Sequence, residues 1–224
     1  MTSEHHMRIP RTARYWTEGD AATARDVWLI LHGYGQLAAE FLGAAAALGG
    51  AGRLVVAPEA LSRFYSSASD GGSHAGAGVG ASWMTREDRD HEIADYVSYL
   101  DALLSRVMAA LNPAPRVHVL GFSQGVATAA RWVAAGGVRP ATLVLWGSVP
   151  PADLDEAGRG RFAGLDVRLV HGTKDRLVVP EALEATVSRL RRDGAQVTIR
   201  TFEGGHRLDD GVLAALAADP AAFH

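Results

Sequence analysis

The stretch VHVLGFSQGVATAAR, residues 117–131, joins an apolar run to a helical pattern through the turn G-F-S-Q-G. Such a turn has two interpretations. Ser123 is either a nucleophile held on a tight strand-to-helix turn or one residue of an ordinary glycine-rich turn. A G-x-S-x-G motif alone does not separate them, because it becomes informative only when a strand, a helix and partner residues surround it. The rest of the chain has to supply that context.

The composition is typical of one folded domain. The chain has 224 residues, 48% of them hydrophobic and 21% charged, which is enough for one sizeable core. A net charge of −3 gives no long-range attraction to nucleic acid. No apolar run is long enough to span a bilayer and the start lacks the apolar stretch of a secretory signal, so we expect no stable membrane insertion and a cytoplasmic location. The absence of cysteine excludes disulfides, thiolate zinc sites and a cysteine nucleophile.

Short β-branched and leucine-rich runs alternate with helical patterns along the chain. The runs occupy residues 26–33, 53–60, 116–123, 141–148, 166–172 and 196–205, and the helical patterns lie at about 36–48, 90–111, 124–136, 180–193 and 209–218. The middle of each run is apolar on both faces, as in strands buried inside a parallel sheet. We therefore predict an α/β fold, with a mostly parallel central sheet and helices on both faces, in a single domain. A run at 12–18 is polar on one side and is predicted to be an edge strand.

Three chemically active residues follow predicted strands: Ser123, Asp175 and His206. The carboxyl ends of strands are where α/β sheets bind ligands. A serine hydroxyl becomes a nucleophile when an imidazole removes its proton, and the imidazole needs a carboxylate to fix its tautomer. The chain order Ser, Asp, His is that of α/β-hydrolases. We predict that these residues form a catalytic triad, with Gly121 and Gly125 giving the tight turn its space.

Few residues compete for the other two places in the triad. Only His206 and the terminal His224 follow Asp175, and a chain end is expected to fray, which favours His206. Four other acids compete with Asp175. Asp153 and Asp155 lie in a polar stretch that is expected to face solvent. Asp166 begins a strand, at the opposite end of the sheet, and Glu203 precedes His206.

An oxyanion hole should use the amide after the nucleophile and one amide from an earlier strand–helix loop. The sequence LHGYGQ, residues 31–36, ends the first buried run, and its glycines would let an amide turn inward. We predict the backbone N–H groups of Tyr34 and Gln124 as the donors. The His32 side chain is expected to be a hydrogen-bonded structural histidine.

At residues 26 to 207 the chain resembles the phospholipase/carboxylesterase family of α/β-hydrolases, which includes the acyl-protein thioesterases. The resemblance rests on LHGYG, GFSQG, HGTKDRLVVP and GGH, in that order. It implies the α/β-hydrolase fold, with the triad and the oxyanion hole at the positions predicted above. Between 61 and 90 the stretch RFY…GASWMTRED looks more like the bacterial carboxylesterases of the family than like the eukaryotic thioesterases.

The segment 62–89 interrupts the alternation of strands and helices, because it shows no periodicity and many small residues. We predict a long loop near the active site. Bulky side chains at its two ends, and one after a later strand, either line an acyl pocket or anchor the chain to the core; they are Phe64, Tyr65, Trp83, Met84 and Trp146.

The function expected from these features is that of a serine carboxylesterase acting on short- to medium-chain esters through an acyl-serine intermediate. An acyl-thioesterase or lysophospholipase with the same triad, and a non-catalytic ligand-binding protein on the same fold, stay open. The expected partner is a small-molecule ester, and a homodimer stays open. We expect no cofactor and no metal, because zinc-protease, P-loop and dinucleotide motifs are absent and the acidic run at 86–95, with an exposed His91, suits a helix start.

Overall fold

A computed structural model of the chain describes residues 1–66, 77–111 and 114–218. Nine strands are found in these ranges: β1 Tyr15–Glu18, β2 Asp26–Leu31, β3 Arg53–Pro58, β4 Ser62–Tyr65, β5 Val79–Ser82, β6 Arg116–Phe122, β7 Thr142–Trp146, β8 Asp166–Gly172 and β9 Gln196–Phe202. Six α-helices accompany them: α1 Ala38–Ala44, α2 Arg89–Ala109, α3 Gln124–Ala135, α4 Glu156–Gly160, α5 Pro180–Arg192 and α6 Asp210–Ala218.

Seven strands form the central sheet in the order β1-β3-β2-β6-β7-β8-β9. All neighbours are parallel except β1, which pairs antiparallel with β3 at the edge. This confirms the predicted mostly parallel sheet and its edge strand. The chain passes from β2 to β3 on one side and later returns to β6 on the other side of β2. The carboxyl ends of β2 and β6 therefore meet where the strand order reverses, the place where open α/β sheets bind ligands.

Alternate residues of the central strands face two separate cores. Along β2, Val27, Leu29 and Leu31 join a core with helices α2, α3 and α5, whereas Trp28 and Ile30 join one with α1 and α6. All five side chains are completely buried. Side chains of a strand point alternately to its two faces, so a strand covered by helices on both sides has to be apolar at every position. This explains the continuous hydrophobic runs in the sequence.

The ends of the predicted loop 62–89 are ordered as a β-hairpin. Strands β4 and β5 pair antiparallel, with Phe64 opposite Gly80, while residues 67–76 of the predicted loop lie outside the described part of the chain. The hairpin packs on the turn after β2, where the Gly35 amide donates to the Ala81 carbonyl at 2.9 Å. A Cβ at Gly80 would lie 2.6 Å from the Gly35 oxygen. Small residues in β5 thus permit close backbone packing, and their low strand propensity hid the strand from the sequence pattern.

Helix α4 was also not predicted. It lies in the polar stretch around residues 151–160, and the Asp155 carboxylate caps it by accepting from the Gly158 amide at 2.7 Å. Its five residues are too few to show helical periodicity. Across the described ranges, no helix is both long and apolar enough to cross a bilayer.

A buried polar group closes the amino-terminal end of the sheet, opposite the strand ends that carry Ser123. His118 is 1% exposed, stacks on Trp28 and lies with Nε2 3.1 Å from the Asp26 carboxylate. Arg116 holds both oxygens of the same carboxylate, at 2.8 and 3.1 Å. Burial lowers the pKa of His118 despite this carboxylate. Burial alone would raise the pKa of Asp26, but the hydrogen bonds from Arg116 and His118 outweigh it and the pKa is lowered.

Candidate active site

Ser123 occupies a tight turn between β6 and α3. Its backbone has φ 54° and ψ −114°, a conformation that non-glycine residues rarely adopt. The turn is held on the neighbouring strand by the Ser123 amide, which donates to the Trp146 carbonyl at 2.8 Å. A Cβ at Gly121 would lie 2.2 Å from the Gly125 oxygen, and one at Gly125 would lie 2.1 Å from the Leu31 oxygen. Both glycines of G-F-S-Q-G are therefore required sterically, and the turn presents Ser123 at the strand-order reversal.

Asp175 and His206 form a hydrogen-bonded pair. His206 Nδ1 lies 2.7 Å from Asp175 Oδ2, and the Asp175 side chain is 1% exposed. The other carboxylate oxygen accepts the Leu177 amide at 2.9 Å. An ionised carboxylate in this position accepts a hydrogen bond from Nδ1–H, so that Nε2 is the unprotonated nitrogen of the neutral ring. Asp175 thus fixes the tautomer that a general base requires.

The loop after β9 carries His206 back across the sheet to the Ser123 turn. The His206 ring packs on Phe122, the residue before Ser123, with ring centroids 4.8 Å apart. A Cβ at Gly147 would lie only 3.0 Å from the His206 ring, so glycine makes room for it after β7. Within the described part of the chain, the side-chain hydrogen bond of His206 is the one to Asp175. Serine–histidine hydrogen bonds are often long before substrate binds and tighten in the complex.

The turn after β2 borders Ser123 from the other side of the strand-order reversal. A Cβ at Gly33 would lie 3.2 Å from the Ser123 Cβ. The Gly33 amide donates to Gln36 Oε1 at 2.7 Å, which stabilises the turn internally. Tyr34 is 61% exposed and stacks on Phe64 of the hairpin. The backbone of Tyr34 and that of Gln124 therefore belong to the two segments that flank Ser123, as an oxyanion hole requires.

The Gln124 side chain links the nucleophile turn to the hairpin, a contact that the sequence did not predict. Its Oε1 accepts the Trp83 amide at 3.0 Å, and its Nε2 donates to the Met84 carbonyl at 2.8 Å and the Ser82 hydroxyl at 3.2 Å. The hairpin thus contacts both predicted oxyanion-hole segments, the Gln124 segment through these bonds and the Tyr34 segment through Gly35. No local pattern in the sequence signals a contact across about 40 residues.

The structural role predicted for His32 is confirmed. The ring is completely buried, and its Nδ1 donates to the Gly33 carbonyl at 2.8 Å while Nε2 accepts the Ala60 amide at 3.1 Å. Burial lowers the pKa of His32, so the ring stays neutral. His32 joins the ends of β2 and β3 and leaves no ring nitrogen for chemistry.

The five predicted substrate-contacting side chains fall into two groups. Phe64 is half-buried against Tyr34, Tyr65 is exposed, and Met84 is partly buried beside Arg131. The two indoles, by contrast, are core residues: Trp83 is 2% exposed and Trp146 is completely buried.

The indole N–H groups show what the two tryptophans hold. Trp83 donates to the His32 carbonyl and Trp146 to the Arg207 carbonyl, each at 2.9 Å. Their burial and these bonds show that both indoles fix the backbone next to the site, and substrate contact by either of them stays a prediction. Anchoring to the core was the alternative predicted for the side chains at the ends of loop 62–89, and the contacts of Trp83 agree with that alternative.

The competing carboxylates lie elsewhere. Asp153 pairs with Arg131 and Arg89, and Asp166 pairs with Arg168 at the start of β8. Glu203 is exposed and bonds to Lys174 at 2.8 Å, and Asp155 caps α4. Each of these carboxylates therefore has a partner other than His206. Asp175 alone among the named acids contacts the imidazole in the described structure.

Three solved structures share this architecture over nearly their whole length. An acyl-protein thioesterase 2 from Zea mays covers 92% of this chain and 99% of its own, with a TM-score of 0.66 and 18% identity. The chain has the α/β-hydrolase fold. A Bacillus cereus carboxylesterase covers 92% of both chains (TM-score 0.65, 18% identity). A phospholipase/carboxylesterase from Dyadobacter fermentans covers 92% of this chain and 95% of its own (TM-score 0.65, 16% identity).

Comparison by sequence gives a different result. No family model matches this chain, and no curated protein sequence is significantly similar to it. The likeness to the solved structures at these low identities establishes the fold. The chemistry therefore has to be inferred from the site itself.

Proposed function

We propose that the protein is a serine hydrolase of the phospholipase/carboxylesterase family that cleaves carboxylic esters of short to medium acyl chain length. The observation that carries this proposal is the Asp175–His206 hydrogen bond of 2.7 Å, beside a serine on a strained turn. A buried carboxylate that fixes a histidine tautomer next to such a serine is the arrangement that nucleophilic acyl transfer needs. Three of the similar structures, named as carboxylesterase or thioesterase enzymes, support the same reaction class.

The proposed reaction has two halves. The Ser123 oxygen attacks the carbonyl carbon while its proton passes to His206 Nε2, and the oxyanion that forms accepts hydrogen bonds from the amides of Tyr34 and Gln124. The intermediate then expels the alcohol, which takes the proton from His206 and leaves acyl-Ser123. Water next attacks the acyl group with His206 as base, which releases the carboxylic acid and restores the serine. Asp175 stays ionised throughout and stabilises the imidazolium.

The test of this proposal is replacement of the nucleophile. Ser123→Ala should lower turnover of a nitrophenyl acetate ester by on the order of 10⁴-fold or more, because triad members act as a unit. A fluorophosphonate should label the wild type on the peptide that contains Ser123. Ser148→Ala is a matched control, since Ser148 follows the adjacent strand β7, and it should retain activity. Activity retained in Ser123→Ala, or stoichiometric labelling of another residue, would rule out the nucleophile.

Hydrolysis of acyl thioesters is a second candidate, which the similarity to the Zea mays thioesterase favours. Ester and thioester pairs with the same acyl group, in graded chain lengths, distinguish the two. A higher kcat/KM for the thioester at each length would favour this candidate. Absence of turnover for every substrate would instead favour a ligand-binding protein on a hydrolase fold.

A further inference from the structure

Three exposed side chains outside the active site bring their ligand atoms together. His6 lies in the segment that precedes β1, and Asp88 and His91 lie at the start of α2. His6 Nε2 is 3.3 Å and His91 Nδ1 is 2.6 Å from the same carboxylate oxygen of Asp88. The three ligand atoms all lie within 4.8 Å of one another. The two rings stack with centroids 4.0 Å apart, so both imidazoles approach the carboxylate from the same side.

The donor set and its spacing suit a divalent transition metal. Two imidazole nitrogens and a carboxylate oxygen are typical ligands of Zn²⁺, at about 2.0–2.2 Å from the ion. Tetrahedral ligands at such distances lie about 3.3 Å from each other. The His6–Asp88 separation already has this value, the His91–Asp88 separation is 2.6 Å, and exposed side chains can adjust to the ion. A divalent ion would use both imidazoles in the neutral form and the carboxylate at once, which matches a cluster in which two histidines approach one carboxylate oxygen.

We propose that His6, Asp88 and His91 form a surface site for a divalent transition metal of the Zn²⁺ class. The ion joins the amino-terminal segment to the start of α2. The same segment is held further along by Arg11, which donates to the Leu61 carbonyl, and by Arg14, which pairs with the buried Glu59 at 2.5 Å. Metal binding would therefore hold the amino-terminal segment at His6 as well as at Arg11 and Arg14, across the start of the β4–β5 hairpin. His6 is some 80 residues from Asp88, so no local motif in the sequence indicates the site.

Titration calorimetry of the metal-free full chain with ZnCl₂ tests the site. We expect one Zn²⁺ per chain, and a decrease in affinity of at least about tenfold for His6→Ala and for His91→Ala. His5→Ala is the matched control, because His5 is the neighbouring histidine outside the cluster, and it should bind as the wild type does. No Zn²⁺ uptake by the wild type, or an equal effect of His5→Ala and His6→Ala, would overturn the proposal.

A thermal measurement separates the site from unspecific metal uptake. Zn²⁺ that binds only the site of the folded protein should raise the Tm of the wild type and of His5→Ala, but not that of His91→Ala. An equal rise in His91→Ala would overturn the assignment. All three histidine variants should keep the hydrolytic activity of the wild type, because none of these residues contacts the Ser123 site. The result is independent of the proposed hydrolase function, which is tested on Ser123.

Discussion

Burial distinguishes Asp175 from Glu203, the competing carboxylate nearest to His206 in the sequence. The Asp175 side chain is 1% exposed and has two acceptor bonds, whereas Glu203, only three residues before His206, is exposed and paired with Lys174. A carboxylate stabilises an imidazolium strongly only where water does not screen the interaction. Proximity in sequence is therefore a poorer guide to the triad acid than position after a strand.

Replacing this carboxylate by its amide tests the role directly. Asp175→Asn should lower kcat by roughly 10⁴-fold, because the amide favours the wrong His206 tautomer while the geometry is kept. Glu203→Gln is the matched control and should leave kcat nearly unchanged. Steady-state kinetics on one activated ester measures both. A loss below tenfold in Asp175→Asn, with a large loss in Glu203→Gln, would transfer the role to Glu203.

At the scale of elements, the hairpin β4–β5 positions the site without supplying its chemistry. It contacts the turn after β2 through the Gly35–Ala81 hydrogen bond and the start of α3 through the Gln124 side chain. The amides predicted to hold the oxyanion belong to these two segments. An oxyanion hole is effective when its donors are already oriented before the reaction. The hairpin provides that orientation.

The Gln124 side chain is the point at which this positioning can be weakened. Gln124→Met keeps the backbone amide but leaves the Trp83 amide and the Met84 carbonyl without their partner. We expect kcat to fall about 10- to 100-fold with little change in KM, less than the effect of removing an oxyanion donor outright. Gln196→Met, at the exposed start of β9, is the matched control. A change confined to KM would show that Gln124 contributes to substrate binding instead.

Elements with strong local patterns were predictable and those made by close backbone contact were not. All six predicted strands are present. Five of them are buried and apolar on both faces, whereas β9 lies at the edge of the sheet and is largely exposed. Helices α3 and α5 were predictable from their starts at the Ser123 turn and at Pro180. The hairpin and α4 depend on packing and on one cap, which are not visible as periodicity. The burial of Trp83 and Trp146 was not predictable for a related reason, since an indole in the core and one that lines a pocket have the same sequence signature.

For the whole molecule, the sheet order determines which loops meet. The sequence predicted that Ser123, Asp175 and His206 follow strands, but not that β2 and β6 are neighbours. That adjacency places the Gly33–Tyr34 turn against the Ser123 turn. It depends on contacts between residues about 90 positions apart, such as Arg116 with Asp26, which a single sequence does not reveal.

The two buried histidines should make the folded state sensitive to acid. Burial holds the pKa of His32 and of His118 below 6.5, whereas the unfolded chain has the ordinary value. Below pH 6.5 the unfolded state therefore binds protons that the folded state does not, and the free energy of unfolding falls as pH falls. Each such proton contributes about 1.4 kcal/mol per pH unit until the folded-state pKa is reached. Urea unfolding between pH 8 and pH 5 measures this slope.

His118→Phe isolates one of these protons. Phenylalanine keeps the stacking on Trp28, and Asp26 keeps both hydrogen bonds from Arg116, while the neighbouring Arg168 stays paired with Asp166. The dependence of stability on pH should become shallower by up to one proton. An unchanged slope would mean that His118 takes up no proton on unfolding in this range.

The backbone conformation of Ser123 lowers the stability of the fold, whereas the proposed activity requires a serine at this position. A side chain at φ 54° and ψ −114° is strained by about 1–3 kcal/mol, and glycine would relieve this for an entropic cost of about 0.5–1 kcal/mol. Ser123→Gly should therefore be inactive yet more resistant to urea than Ser123→Ala, which keeps the Cβ; equal resistance would show that the turn is relaxed. Selection for stability alone would disfavour a serine in this conformation, so its presence supports the catalytic role proposed for Ser123.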